Sequence, residues 1–296
     1  MREHAIQFGR DRSLVGILTE NQIANFSGKH DLTGILLLST GLDHHVGPNR
    51  IYVKLARQLT AAGFSVFRFS FSGIGDSGPR RDKLPASESM IDETQQAMDY
   101  LERLKGIEQF IVIGLCNGAA AAFRVAAVDR RVRGAVLINP PAPATPQTEL
   151  TRQHSYYWQG ALFSLRSWKR LLFWQSAYQS IFQSVALKVK RLLLPSYFQN
   201  SEHARIINEL TKCLQYFREQ KIQLLILGSD DIWGDQYLRE FTRKEYNSLK
   251  DAGLLSAKTL KGTDHLFTPL ESQKRLLRLI SEWMGEKFKS NLVICQ

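Results

Sequence analysis

Three features of this 296-residue chain have the residue types that covalent chemistry needs: a cysteine between glycines in Gly114-Leu115-Cys116-Asn117-Gly118, an acid pair at Asp230-Asp231, and a histidine at His265. Sulfur is a good nucleophile once ionised, and a cysteine gains thiolate character at a helix N-terminus or beside a histidine. The glycines flanking Cys116 match a nucleophile elbow, the sharp strand-to-helix turn in which small neighbours let strand and helix approach. A loop around a buried, inert thiol would use the same residues, so the rest of the chain has to decide. In an open parallel sheet the functional groups gather beyond the carboxyl ends of the strands. A nucleophile at Cys116 therefore calls for an acid and then a histidine, each in a loop just after a later strand. Gly228-Ser229-Asp230-Asp231 follows the apolar run 223–228, and Gly262-Thr263-Asp264-His265 follows the run 257–260. Both requirements are met, in that order. Asp264 reads as a residue that shapes its loop by a hydrogen bond.

The segments that would position these groups alternate between strand and helix patterns. Phe110-Ile111-Val112-Ile113 has the continuous apolar character of a strand buried on both faces, and the alanine-rich stretch after Cys116 is a strong helix former. Further strands are expected at 33–39, 64–69, 134–139, 223–228 and 257–260, and helices at 50–62, 88–105, 236–252 and 272–287. A hairpin of 4–8 with 14–18 would lie at the sheet edge. The loop Ser70 to Gly78 is rich in glycine but lacks the Gly-x-x-x-x-Gly-Lys pattern of a phosphate cradle. Such alternation specifies an α/β fold, a mostly parallel central sheet flanked by helices. Gln147 to Gln220 breaks it with helical periodicity, many aromatics and no good strand. The expected organisation is a core over 1–146, a helical cap over 147–220, and the rest of the core over 221–296.

Composition excludes several classes. With 44% hydrophobic and 23% charged residues the chain is globular rather than disordered. Its three cysteines are odd in number and far apart, which supports neither a disulfide framework nor a zinc knuckle and suits a reducing compartment. Neither an apolar leader nor a membrane-spanning run is present, so a cytoplasmic location is expected. The net charge is +11, and much of the excess is local: residues 151–200 hold seven Lys or Arg and no Asp or Glu. Nucleic acid is disfavoured as a partner, because no binding module accompanies the charge.

Elbow, acid loop and histidine loop together resemble the α/β-hydrolase fold over nearly the whole chain, with the cap the least specific part. The resemblance implies Cys116 as nucleophile, His265 as base and then acid, and Asp231 as the group orienting the imidazole. Asp231 is preferred because family acids commonly lie three residues after the strand-ending glycine, here Gly228; Asp230 stays open. Acyl transfer also needs oxyanion donors. The backbone N–H of Asn117 supplies one. Where the family commonly has His-Gly followed by the donor residue, this chain has Thr40-Gly41-Leu42, which assigns Leu42. The stretches Gly41 to Arg50, Phe71 to Gly78 and Gly114 to Asn117 resemble, more narrowly, the cysteine-bearing hydrolases associated with exosortase A systems. The chain departs from many of these at Ser70, where they have Asp.

A cysteine elbow would pass through a thioester, which is more reactive toward amines and thiols, relative to water, than an oxygen ester is. The expected activity is acyl transfer from a small-molecule or carrier-bound ester or thioester, with simple ester or thioester hydrolysis as the alternative and no cofactor. A scaffold that docks to a partner and has lost turnover is a third reading, against which the joint presence of Cys116, Asp231 and His265 speaks. In the cap, Trp158 and Trp168 could roof an acyl pocket while Arg166 meets an anionic group; contact with an anionic membrane is the rival use, and ordinary packing with solvated charge the plain one. His44 is a candidate substrate contact. The His44-His45 pair is read as hydrogen-bonding rather than metal-binding, since adjacent histidines should point apart and no third ligand is evident.

Overall fold

The computed structural model describes residues 1–21, 33–39, 44–142, 202–230 and 234–288. Its strands are β1 (Arg2–Phe8), β2 (Leu14–Glu20), β3 (Thr33–Leu38), β4 (Ser65–Ser70), β5 (Gln109–Leu115), β6 (Val132–Ile138), β7 (Gln223–Gly228) and β8 (Leu255–Thr259). They form one eight-stranded sheet in the order β1-β2-β4-β3-β5-β6-β7-β8. The hairpin β1–β2 sits at the edge and pairs antiparallel with β4, while every pairing from β4 to β8 is parallel. This is the expected α/β architecture. β3 lies between β4 and β5, so the chain reverses its direction across the sheet there, and such a switch point is where open α/β sheets place ligands, beyond the carboxyl ends of the strands.

The helices are α1 (Ile51–Ala61), α2 (Ala86–Lys105), α3 (Asn117–Val128), α4 (Glu202–Glu219), α5 (Gly234–Phe241), α6 (Arg243–Asp251) and α7 (Leu270–Phe288). Side chains alternate across the strands, and both faces are covered. Ile111, Ile113 and Leu115 of β5 join a core under α1 and α7, while Phe110 and Val112 join one under α2, α3, α4 and α6. Burial on both sides is why the strands read as unbroken apolar runs.

Two details differ from the sequence reading. The single helix expected at 236–252 is two, α5 and α6, divided at Thr242, whose φ of −122° leaves the helical region. Its hydroxyl donates to Leu238 O at 2.6 Å and its N–H to the same carbonyl at 2.9 Å, closing the first helix as the second begins. The other concerns residues 202–219. Leu214 and Phe217 of α4 are buried in the main core, and Phe217 meets Phe123 of α3 edge to face at 5.0 Å. This helix therefore covers the sheet as a crossover between β6 and β7. Residues 143–201, the remainder of the expected cap, lie outside the described residues. No helix among the described residues is long and apolar enough to cross a membrane.

Candidate active site

Cys116 stands between the end of β5 and the start of α3, with φ 54° and ψ −119°. A side chain rarely adopts a positive φ, and such a residue persists only where its surroundings hold it. Here they do. Cys116 N–H donates to Ile138 O at 2.8 Å, and Cys116 O accepts from Ala119 N–H at 2.9 Å. Just before the turn, the buried Tyr52 hydroxyl accepts from Leu115 N–H at 2.9 Å and donates to Leu38 O at 2.8 Å, joining the ends of β3 and β5. The glycines are sterically required. A Cβ on Gly114 would lie 2.1 Å from the carbonyl carbon of Gly118, and one on Gly118 would lie 2.5 Å from Leu38 O. Asn117 occupies the first helical position, where a backbone N–H has no acceptor within its own helix. It can therefore face a developing negative charge.

His265 lies in the loop between β8 and α7, partly exposed. Asn139, at the end of β6, ties this loop to the acid loop. Its Nδ2 donates to His265 O at 2.8 Å, its Oδ1 accepts from Ser229 N–H at 2.8 Å, and its own N–H donates to Leu227 O at 2.8 Å. The carbonyl that holds Cys116 belongs to Ile138 and the side chain that holds His265 to Asn139, adjacent residues at one strand end. Asp230 follows β7, and its Oδ2 accepts from Gly262 N–H at 2.6 Å. Asp264 behaves as expected: Oδ1 accepts from Thr268 N–H at 2.7 Å, and the Thr268 side chain first, then this backbone bond, hold its carboxyl below the usual range. Among the described residues, no hydrogen bond joins Cys116 Sγ to the His265 ring. Catalytic hydrogen bonds are often long before substrate binds.

The histidine pair differs from expectation. The rings of His44 and His45 lie 3.7 Å apart at 41°, so they do not point apart, and Asp76 from the loop after β4 comes up beside them. The reason is a turn closed by Gly47 N–H on His44 O at 2.9 Å, which folds the pair onto itself. Ligand atoms of His44, His45 and Asp76 fall within 4.8 Å of one another, a donor set that could hold a cation. Their hydrogen bonds are those of a self-satisfied pair. Val46 N–H donates to His44 Nδ1 at 3.3 Å, which leaves the proton on Nε2, facing Asp76 Oδ2 at 2.8 Å. His45 is 4% exposed. Burial, aided by the neighbouring His44, pushes it down to about 4, so its ring is neutral at pH 7. Ser70, the departure from the narrower family pattern, contacts His45 through Oγ, at 3.0 Å from Nδ1 and 3.1 Å from the backbone N.

Of the other expected site residues, Asp231, Leu42, Trp158, Arg166 and Trp168 lie outside the described residues. The sequence reading missed Asn139 and Tyr52, each of which looks there like part of a strand end or a helix face. A cleft of about 750 Å³ opens at the opposite rim, near Arg131 before β6. Arg131 is already paired with Asp129, Asp99 and Glu102, and the cleft lies away from Cys116.

This arrangement has many counterparts in fold. Est1E from Butyrivibrio proteoclasticus matches at 12% identity with a TM-score of 0.55, over 95% of this chain and 98% of its own. An esterase from Pyrococcus furiosus, Pf2001, matches at 16% identity and a TM-score of 0.55, over 96% and 90%. XC6422 from Xanthomonas campestris, described as a serine hydrolase without a lid, matches at 13% identity and a TM-score of 0.53, over 97% and 95%. No curated protein matches the chain in sequence. The family model for the alpha/beta hydrolase fold matches residues 35–276, which take in the elbow, the acid loop and the histidine loop. With strand order, elbow and loops in place, the chain belongs to the alpha/beta hydrolase fold family.

Proposed function

We propose that the protein is an acyl-transfer enzyme that works through a thioester on Cys116, with His265 as the proton carrier and Asp231 orienting it. The observation that carries this reading is the bonding of the Cys116 turn and the His265 loop to adjacent residues, Ile138 and Asn139. His265 removes the thiol proton, and the sulfur attacks the acyl carbon of an ester or thioester. A C–S bond forms, the bond to the leaving oxygen or sulfur breaks, and His265 returns the proton to that atom. An acceptor then attacks the thioester, giving its proton to His265 and releasing the thiolate. Backbone N–H groups of Asn117 and Leu42 would bind the oxyanion in both halves. Asp231 is favoured over Asp230 because Asp230 already braces Gly262 through Oδ2. The substrate would be a small-molecule or carrier-bound acyl compound, which Trp158, Trp168, Arg166 and His44 would contact. The cap's positive charge also suits an anionic membrane surface.

Hydrolysis is the second reading, favoured by the likeness in fold to an esterase and a serine hydrolase. Intact-mass measurement after mixing with a panel of acyl esters and thioesters separates the two. An adduct on Cys116 that water discharges slowly, and one amine, alcohol or thiol discharges fast, establishes transfer; rapid discharge by water alone establishes hydrolysis. Cys116→Ala should abolish turnover and Cys116→Ser leave a weak remnant. Cys213 is the internal comparator, since burial pushes its thiol up to about 11. Undiminished turnover in Cys116→Ala, or Cys116 labelling by iodoacetamide as slowly as Cys213, would remove Cys116 from the mechanism.

A further inference from the structure

We propose that Asn139 and Asn49 are positioning residues that clamp the histidine loop, with Asn139 setting the acid loop by the same side chain. The proposal rests on the reading of Cys116 and His265 as nucleophile and base. Asn49 Nδ2 donates to Leu266 O at 3.1 Å, and Asn139 Nδ2 donates to His265 O at 2.8 Å. Two successive carbonyls are thus held by asparagines from distant parts of the chain. Both asparagines have a left-handed backbone, with φ 52° at Asn49 and φ 45° at Asn139, a conformation asparagine tolerates better than most residues. The next residue, Phe267, has φ 53° and is fully buried. Carbonyl 265, carbonyl 266 and side chain 267 are therefore anchored in succession, and the imidazole of His265 projects from a fixed backbone.

The chemistry favours an amide for this task. A neutral side chain aligns a base without adding charge beside it. The amide of Asn139 also accepts from Ser229 N–H at 2.8 Å, in the loop that leads into Asp230 and Asp231. One buried side chain, 3% exposed, thus relates the acid loop to the histidine loop. Proton transfer depends on such spacing, because a displacement of about 1 Å at a reacting group can cost about a hundredfold in rate.

The test is the pH profile of Cys116 alkylation by iodoacetamide in the full chain, read by peptide mass spectrometry with Cys213 as the internal reference. His265→Ala should slow Cys116 and move its profile. Asn139→Gly keeps the backbone conformation, and Asn139→Asp keeps the acceptor for Ser229 while losing the donor to His265. Each should slow Cys116 by about tenfold and move the profile toward that of His265→Ala. Asn49 is exposed. Asn49→Gly keeps the left-handed backbone, should fold normally, leave Cys213 unchanged and slow Cys116 by about threefold, which keeps the test decisive if the Asn139 variants fail to fold. Wild-type profiles in the asparagine variants beside a slowed His265→Ala would overturn the clamp and leave the dyad standing. A wild-type profile in His265→Ala would overturn the dyad, and the clamp with it.

Discussion

Gly118→Ala tests the elbow through its sterics. The new Cβ would lie 2.5 Å from Leu38 O and 2.9 Å from Ser39 O, both backbone atoms at the end of β3, so neither can swing aside as a side chain would. Restoring even 3.0 Å to Leu38 O requires the first turn of α3 to retreat by about 0.5 Å. Overpacking of this kind costs about 1–3 kcal/mol, and at about 2 kcal/mol a chain of this size loses about 3 °C in Tm. Because Cys116 immediately precedes α3, the same retreat moves its sulfur, and alkylation by iodoacetamide should slow with the loss of stability. Gly106→Ala is the control. Gly106 has φ +68° and nothing within 4 Å of its Cβ position, so it carries only the left-handed backbone penalty of about 1 kcal/mol and leaves Cys116 untouched. Thermal melts of both variants, with peptide-resolved labelling of Cys116, give the comparison. A Gly118→Ala protein that melts like the wild type and labels Cys116 at the wild-type rate would refute the close approach of α3 to β3 on which the elbow depends.

Tyr52→Phe removes the hydroxyl that joins Leu38 O to Leu115 N–H and leaves both buried backbone groups without it. A loss of about 2–3 kcal/mol is expected from denaturant unfolding, together with slower Cys116 labelling; a loss under about 0.5 kcal/mol would show that the two strand ends do not need the bridge. For His45 the sign follows from its depressed value of about 4 against an ordinary 6.5. Between these values the unfolded chain binds the proton and the folded chain does not, so stability is full above about pH 6.5 and falls as pH drops toward 4, by up to about 3 kcal/mol. His45→Gln should flatten that part of the stability profile measured by urea unfolding, and an unchanged slope would place the acid sensitivity elsewhere.

What the sequence made legible were constraints that act locally. Burial on both faces forces apolar residues at successive positions, so Phe110 to Ile113 reads as a strand without reference to its neighbours. The contact between Gly114 and Gly118 spans a single turn, and it leaves its mark as small residues at fixed spacing. The histidine pair shows the limit of such reasoning. Adjacent residues in an extended chain point apart, but Gly47 closes a turn on His44, and the two rings meet. The break at Thr242 was hidden for a related reason: apolar periodicity runs across it, and only the backbone angles reveal two helices.

The bonds that assemble the site belong to another kind, since they join residues far apart in the chain through groups whose type is common. Asn139 sits at the end of a strand before two prolines, where asparagine is an ordinary strand-ending residue. Only when β7 lies beside β6 and β8 beside β7 does its side chain reach both Ser229 and His265. Tyr52 is similar, an aromatic among the apolar residues of α1 until its hydroxyl meets the ends of β3 and β5. Both residues work at carboxyl ends of parallel strands, where backbone groups leave the sheet ladder and need new partners. Side chains that satisfy those groups also fix the loops carrying Cys116, Asp230 and His265. Under the proposed mechanism the need to pair buried backbone groups and the need to align reacting groups fall on the same few residues, so substitutions at Asn139 and Tyr52 should affect stability and Cys116 reactivity together.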